Sequence, residues 1–438
     1  MQLNLFGGSV ANLGDERQKA WLDGVFRRGE LGSFLLTERG AGVLSGLIVE
    51  TEARFVAETG TFDLHSPAPV RDSAKYWISQ GFTAKWGVVI ARLLMPGGRD
   101  LGPHAFVVDL ESAGVHKKDM ERKTVFNSLD NCEIWFDHVT LQRTDLLSGI
   151  SFVDAQGAYR LVDESTPFSF YRVAQRLLSG RICLSLASLE RVRTIVKRVS
   201  RYAEQRMMPV MGSRGVTTPL FELRSLREAF ASFSSQATVY QRYLEHLCAQ
   251  FADESVPISP RLVDEIACAK IMVVDFALQS LANLKARVGA YSLMKEGAFD
   301  FRHCEIFYLI RFAEGDSGIL AQKMAKDALR VVSTPQGILS SLLRLPSLAL
   351  RSFLASTNSP ARARCLQLRD MISLAFSLFG LRGSAQMHAW LNNHALVEKI
   401  ARRAAFLTIH DVVSRNASAD PAFRVNLSHF SQLINAEN

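Results

Sequence analysis

The spacing of hydrophobic and polar residues changes once along the chain. From about Gly32 to Arg160, short runs such as WGVVIARLL (86–94) and FVVDL (106–110) are rich in β-branched and aromatic residues, and turns containing Gly, Pro and Asn separate them. After Pro167, apolar residues recur at helical spacing to the end of the chain. The pattern predicts an α+β protein in which a β domain precedes helical bundles.

Clusters of Pro, Gly and Ser set the limits of the predicted helical regions. Because such clusters stop helices, STPQG (333–337) separates two of these regions. We predict an N-terminal helical stub, a β domain, a helical bundle and a C-terminal helical domain, which span residues 1–31, 32–165, 166–332 and 333–438.

The composition is that of a globular protein with a large core. The 438 residues are 48% hydrophobic and 21% charged, and a chain of this length normally folds as about two or three domains. One of its most apolar stretches, 337–356, contains Arg344, Pro346 and Arg351, which a membrane-spanning helix would not tolerate. We predict no membrane span.

The cysteines and histidines show no spacing typical of a metal site. The six cysteines form no CxxC pair, and the ten histidines form no HxxxH or HExxH pair. Scattered cysteines of this kind favour reduced thiols over disulfides or zinc ligands. We therefore predict no bound metal and a cytoplasmic location.

The net charge of +8 is concentrated towards the C-terminus. Ten Lys or Arg lie between Arg330 and Arg403, against only Asp370 and Glu398. Basic residues spaced among apolar ones are typical of a solvated helical face or a subunit contact. They also suit the phosphates of coenzyme A or an acidic carrier protein, and without a binding motif we predict no nucleic-acid partner.

Several strings in the first half of the chain resemble motifs of one enzyme superfamily. FLLTERGAG (34–42) is similar to "MTE-x-G-x-G", and KYWISQG (75–81) is similar to "KxWITNG". PGGRDLGPHAFV (96–107) resembles "GGKxxGxHAFxV", and LDNCEIWFDHV (129–139) resembles "VDNGxIxFDNV". These are motifs of the acyl-CoA dehydrogenase and acyl-CoA oxidase superfamily, and the last two favour its oxidase branch.

The same resemblance continues in the predicted helical bundle. LSGRICLSL (178–186) is similar to the "VSGR" start of the family's first bundle helix, and RYAEQR (201–206) is similar to the "RYSxxR" near its end. AEGD (313–316) resembles "FEGD", whose Glu is the catalytic base of the family. The motifs occur in the family's order over nearly the whole chain.

The resemblance implies a fold, a cofactor and five site residues. The fold would be α+β, with a central antiparallel, barrel-like β domain followed by helical bundles, and the cofactor would be FAD. Glu314 would be the base that removes the α-proton of an acyl thioester. Thr37 would bond the flavin pyrimidine edge, Trp77 would cover one flank of the ring, and Ser79 would donate near N5. Arg206 would reach the FAD pyrophosphate of a neighbouring subunit, because a guanidinium fork matches phosphate oxygens.

The chemistry explains why these residue types are needed. Desaturation requires a carboxylate at the α-carbon and an oxidised flavin at the β-carbon, so that a proton and a hydride leave from opposite faces. A carboxylate held rigidly and desolvated at a helix end has a pKa raised towards the operating pH. The flavin carries the hydride chemistry, and the protein orients it.

The sequence departs from the family pattern mainly at the cofactor. The family-like sequence begins with LNLFGGSVANLGDERQ (3–18), so we expect most of the N-terminal helical domain, about a hundred residues, to be missing. Met207–Val210 replaces the "QFG" that follows the pyrophosphate Arg, and Arg287–Tyr291 replaces the glycine-rich "CGGxGY" turn. Side chains in that turn hinder close approach of the backbone to the cofactor.

Three hypotheses follow. The leading one is flavin-dependent α,β-desaturation of an acyl-CoA or of an acyl group on a carrier protein, in a homo- or hetero-oligomer with a related subunit. The second is a degenerate subunit that completes a heteromeric acyl-CoA dehydrogenase or oxidase. The third keeps Glu314 and the thioester but performs enolate chemistry without flavin.

Overall fold

The chain divides into two compact units, Met1–Gly180 and Arg181–Asn438. A computed structural model describes residues 1–44, 48–124, 126–164, 175–252, 258–294, 299, 301, 306–332, 394–416 and 421–436. Most of the predicted C-terminal helical domain, residues 333–393, lies outside the described residues, as does most of the basic region. The four predicted segments stay a prediction.

The first unit begins with helical turns. A π-helix (Gln2–Gly7) leads into α1 (Gly8–Leu13), and α2 (Glu16–Arg27) follows. The start of α2 is fixed by a capping box, in which the Asp15 side chain accepts from the Gln18 amide and the Gln18 side chain accepts from the Asp15 amide. Gln18 also donates to the carbonyl of Leu146, 2.8 Å away, so the cap ties α2 to the β domain.

Eleven strands follow among the described residues of the first unit. They are β1 (Gly32–Leu35), β2 (Glu52–Val56), β3 (Thr61–His65), β4 (Lys75–Ser79), β5 (Trp86–Met95), β6 (Arg99–Asp109), β7 (Val115–Asp119), β8 (Asn131–Phe136), β9 (Val139–Gln142), β10 (Ser151–Val153) and β11 (Tyr159–Leu161). One short helix, α3 (Val70–Ser73), precedes β4.

The largest sheet is mixed, which corrects the expectation of an antiparallel β domain. β5 pairs with β6 along one edge, while β1 and β2 lie end to end along its other edge and run parallel to it. β3 and β9 extend the sheet in antiparallel fashion. Parallel pairing arises because long connections, and not hairpins, bring β1 and β2 to β5. A second sheet, in the order β4-β8-β7, is antiparallel.

Alternate side chains of β5 point into two different hydrophobic cores. Val88 and Ile90 point into a core shared with Phe6 and Val25 of the N-terminal helices. Val89 and its alternating neighbours point to the opposite face and pack with residues of β3, β6 and β8. The two-residue period of the strand thus joins the helical start of the chain to the β domain.

The second unit is mainly helical. Its described helices are α4 (Gln175–Gln205), whose first residues precede the unit boundary, α5 (Arg224–Ala252), α6 (Pro260–Val288), α7 (Ile306–Phe312), α8 (Ser317–Val332), α9 (His394–Asn416) and α10 (Pro421–Ala436). A hairpin of β12 (Met207–Pro209) and β13 (Thr217–Pro219) follows α4. α6 packs against α5, α7, α8 and α9, and it is the most buried of these helices.

The sequence predicted reduced thiols and no membrane-spanning helix. Cys132 and Cys268 are buried free thiols, whereas the free thiol of Cys183 is exposed. No described helix is long and apolar enough to cross a membrane.

Substitution of Phe106 tests how much the β-domain core contributes to the free energy of unfolding. The Phe106 side chain is fully buried and meets the Phe62 ring edge to face, with 5.3 Å between centroids. We expect Phe106→Ala to lower the free energy of unfolding by about 3–5 kcal/mol, because it removes buried apolar surface and leaves a cavity. Urea unfolding of this variant and of Phe152→Ala, a change at a 37% exposed position, should show a much smaller loss in the second. Equal losses would contradict the assignment of the core.

Candidate functional site

The three site residues predicted in the β domain lie around β4. The amide of Tyr76 donates to the carbonyl of Thr37 at 2.8 Å. The Asn131 side-chain amide donates to the carbonyl of Trp77 at 3.3 Å and to the hydroxyl oxygen of Ser79 at 3.1 Å. Backbone and side-chain hydrogen bonds therefore hold Thr37, Trp77 and Ser79 in one neighbourhood.

Trp77 lies on an irregular part of β4. The pairing of β4 with β8 shifts between Lys75 and Ile78, and Trp77 has a φ of 58°, a left-handed conformation rare for a bulky residue. A bulge of this kind redirects a side chain. The Trp77 indole is 53% exposed, so it offers an aromatic face to a ligand. Thr37 and Ser79 are half-buried beside it.

A buried ion pair that the sequence analysis missed connects the two β-domain motifs. Lys75 and Glu38 are both fully buried, and the Lys75 ammonium donates to Glu38 Oε1 at 2.7 Å and to the carbonyl of Ile90 at 2.6 Å. The Glu38 carboxylate also accepts from the hydroxyl and amide of Thr51 and from the amide of Glu50. Glu38 adjoins Thr37, and Lys75 is two residues from Trp77 in β4, so the pair links the two chain segments that carry these residues.

Burial and hydrogen bonding act in opposite directions on this pair. Burial alone would raise the pKa of Glu38, but Lys75 and the donors on Thr51 and Glu50 hold that pKa below its ordinary value. Burial lowers the pKa of Lys75, and Glu38 opposes the shift. Every oxygen and ammonium proton that is buried here needs its partner, since an unpaired buried charge is strongly destabilising.

Glu314 lies in the turn between α7 and α8. Its φ of 56° is left-handed, and Gly315 follows with a φ of 97°. The carboxylate oxygen Oε2 is buried and has no hydrogen-bond partner among the described residues. Burial raises the pKa of Glu314 to about 7, although Arg181 and Lys270 lower it. A carboxyl group with this pKa can take up and release a proton near neutral pH.

Two cations contact the backbone of this turn. Arg181 Nε donates to the carbonyl of Glu314 at 2.8 Å, and the fully buried Lys270 ammonium donates to the carbonyl of Gly315. Arg181 belongs to the LSGR string, but nothing in the string identified its contact. Lys270 was missed, and the only sequence signal is a single ammonium in the apolar run IACAKIMVV (266–274).

Arg206 borders a cavity of about 530 Å³ in the second unit. Met207, Val288 and Tyr291 also line it, and the Tyr202 and Tyr291 rings stack with 4.8 Å between centroids. The structure thus brings RYAEQR (201–206) together with Arg287–Tyr291, the two segments that the resemblance relates to the FAD of a neighbouring subunit. Gly289 keeps a positive φ of 76°, and among the described residues no atom lies within 4 Å of an added Cβ.

One group of side chains has the composition of a metal site. The ligand atoms of His65, Asp137 and His138 lie within 4.8 Å of one another. The two imidazole rings are stacked, with 4.3 Å between centroids and 12° between planes, so their nitrogen lone pairs lie in nearly parallel planes and do not converge. The absence of a bound metal stays a prediction.

Comparison with known proteins identifies what this chain is related to. No family model matches it. It is 25% identical to peroxisomal acyl-coenzyme A oxidase 2 of Arabidopsis thaliana over 353 residues, which cover 75% of this chain and 50% of the relative. The chain is a distant homologue of the acyl-CoA oxidases. It spans about half the length of that relative.

Solved structures show the same fold. Acyl-CoA oxidase 1 of Arabidopsis thaliana matches with a TM-score of 0.80 at 19% identity, over 99% of this chain and 70% of that one. Acyl-CoA oxidase-2 of Caenorhabditis elegans, solved with FAD, ascaroside-CoA and ATP, matches with a TM-score of 0.76 at 17% identity, over 98% of this chain and 67% of that one. The acyl-CoA oxidase homologue therefore has an α+β fold with a curled sheet and C-terminal helices. Its cytoplasmic location stays a prediction, and the first relative is named as peroxisomal.

The ion pair between Lys75 and Glu38 predicts an asymmetric response to mutation. Lys75→Met leaves the Glu38 carboxylate buried without its cation, so we expect the free energy of unfolding to fall by about 3–5 kcal/mol. In the double variant Glu38→Gln with Lys75→Met, the glutamine still accepts from Thr51 and Glu50 and carries no charge, so part of the loss should be recovered. Denaturant unfolding of the three proteins measures this. A double variant less stable than Lys75→Met would contradict the explanation.

Proposed function

We propose that this acyl-CoA oxidase homologue catalyses the α,β-desaturation of an acyl thioester, with Glu314 as the base that removes the α-proton and FAD as the cofactor. The observation that carries the proposal is the Glu314 carboxylate, which lies in a left-handed turn and has a buried oxygen without a hydrogen-bond partner among the described residues. Strained backbone at such a position is typical of functional sites. Distant homology to the acyl-CoA oxidases supports the same chemistry.

The proton transfer follows from the surroundings of Glu314. A carboxylate that is not engaged in an ion pair keeps its lone pairs available for an α-proton. Burial raises the pKa of Glu314 to about 7 and makes it a stronger base than an exposed glutamate, while Arg181 and Lys270 keep it from rising further. The thioester α-proton would pass to Oε2, leaving the α-carbon negative charge conjugated with the thioester carbonyl.

The β-domain residues fit a flavin ring. The exposed indole of Trp77 offers an aromatic flank, and the hydroxyls of Thr37 and Ser79 lie beside it. Asn131 donates to the Ser79 oxygen, so the Ser79 hydroxyl proton would be directed to another acceptor, here an atom of the ligand. FAD, when bound, supplies the acceptor for the β-hydride. These three residues would hold its ring.

Arg206 would hold a phosphate of FAD from a second subunit. It borders the cavity of about 530 Å³, and the stacked Tyr202 and Tyr291 rings give that cavity aromatic character. Met207 is 47% exposed at the same place, and Met211 at the hairpin tip is 98% exposed. Exposed apolar side chains next to a cation favour a subunit contact. The oligomer would be formed with an identical or a related chain.

The substrate would be an acyl-CoA or an acyl group on a carrier protein. The C. elegans relative was solved with ascaroside-CoA, which is a thioester of coenzyme A. Two alternatives stay open as predictions: a subunit that completes a heteromeric enzyme, and enolate chemistry without flavin. The enolate chemistry without flavin would also use Glu314 as the base.

Exchange of the thioester α-proton in D₂O tests the role of Glu314 directly. We expect Glu314→Gln to lower the exchange rate of an acyl-CoA by about 10²-fold or more, because a neutral amide cannot accept the proton. Glu245→Gln, which changes an exposed carboxylate on α5, should leave the rate unchanged. Nuclear magnetic resonance of the α-methylene signal measures both. Equal rates in Glu314→Gln and the wild type would exclude Glu314 as the base.

The pH dependence of the same exchange follows from the pKa of Glu314. Only the carboxylate accepts a proton, so the rate should rise with pH through about 7 and level off above it. A rate that levels off near pH 4.5, the ordinary pKa of a glutamate, would show that the base is not desolvated.

A further inference from the structure

Lys270 is a buried cation with no carboxylate partner within hydrogen-bonding distance among the described residues. It lies in the middle of α6, is fully buried, and is flanked along the chain by apolar residues. Burying an ammonium in apolar surroundings is costly unless its protons are all satisfied. The hydrogen-bond partners of Lys270 therefore indicate its role.

Those partners are backbone carbonyls on both sides of Glu314. The Lys270 ammonium donates to the carbonyl of Arg311 at 3.2 Å, in the last turn of α7, and to the carbonyl of Gly315. Arg181 from α4 donates to the carbonyl of Glu314 at 2.8 Å. Two helices thus each supply one cation to a run of five residues that contains the proposed base.

The turn needs such support because its backbone is strained. A left-handed φ at a residue with a side chain is unfavourable and persists only where the surroundings impose it. Glu314 has a φ of 56°. At Gly315, an added Cβ would lie 3.1 Å from a guanidinium nitrogen of Arg181, so Arg181 packs closely on the turn as well as bonding to it.

We propose that Lys270, together with Arg181, is a positioning residue that holds the Glu314 turn in its left-handed conformation and sets the electrostatic potential at the Glu314 carboxyl. The inference rests on the proposed function only in that it takes Glu314 to be the catalytic base. The contacts themselves are independent of the reaction. Neither residue needs to touch the substrate.

The charges around Lys270 support a coupling to Glu314. Burial, together with Arg181 and Arg311, lowers the pKa of Lys270 to about 7, and Asp316 and Glu314 oppose the shift. Lys270 in turn lowers the pKa of Glu314. We therefore expect loss of the Lys270 charge to raise the pKa of Glu314.

The test measures the titration of Glu314 by carbon-13 nuclear magnetic resonance, with its carboxyl signal assigned by comparison with Glu314→Gln. We expect Lys270→Met to move the midpoint to higher pH by at least about half a unit and to lower α-proton exchange about tenfold. Lys270→Gln keeps a donor for the carbonyls but removes the charge, so it should move the midpoint with a smaller loss of exchange. Lys270→Arg keeps a positive charge that is not lost near pH 7, so its midpoint should not lie above the wild-type value.

Lys323→Met is the matched control, since Lys323 pairs with Asp264 at the surface of the same unit. It should leave both the midpoint and the exchange rate unchanged. Circular dichroism verifies the fold of each variant, and Lys270→Gln decides the matter if Lys270→Met does not fold. A folded Lys270→Met or Lys270→Gln with the wild-type midpoint would overturn the proposal. A shifted midpoint in a protein whose exchange never depended on Glu314 would support the positioning role and refute the proposed function.

Discussion

The Glu314 turn depends on hydrogen bonds from two cations to its backbone. Arg181 and Lys270 donate to carbonyls of a segment whose φ values side chains rarely adopt. Because these donors engage the backbone, the Glu314 carboxylate keeps a buried oxygen that has no partner in the part of the chain that the structure describes. The free energy that fixes the turn thus comes from groups other than the carboxylate, and the carboxylate stays available for a proton.

The β domain shows a comparable arrangement. The buried Glu38 carboxylate and Lys75 ammonium bond to each other next to Thr37 and Trp77, which we propose to contact the flavin. Trp77, like Glu314, has a left-handed φ. In each unit, one residue that the sequence assigned to the site, Trp77 or Glu314, has strained backbone with buried charged groups beside it.

The sequence predicted the order of β and helical regions well, because periods of 2 and 3.6 residues are local properties. It did not predict the parallel pairing of β1 and β2 with β5, which long connections create. Motif resemblance indicated a relation to the acyl-CoA oxidases, and distant homology to those proteins confirms that relation. The sequence could not predict the role of Lys270, because a single lysine in an apolar helix does not indicate which distant carbonyl groups it contacts. The five site assignments themselves stay predictions.

The central claim is that Glu314 starts the oxidation of an acyl thioester by FAD. The most direct measurement is the visible absorbance of the protein reconstituted with FAD and mixed with an acyl-CoA without oxygen. The account predicts that the wild-type protein binds FAD and loses its flavin absorbance, while Glu314→Gln binds the same amount of FAD and keeps it. A wild-type protein that stays colourless, or a Glu314→Gln variant that loses absorbance at the wild-type rate, would contradict the account.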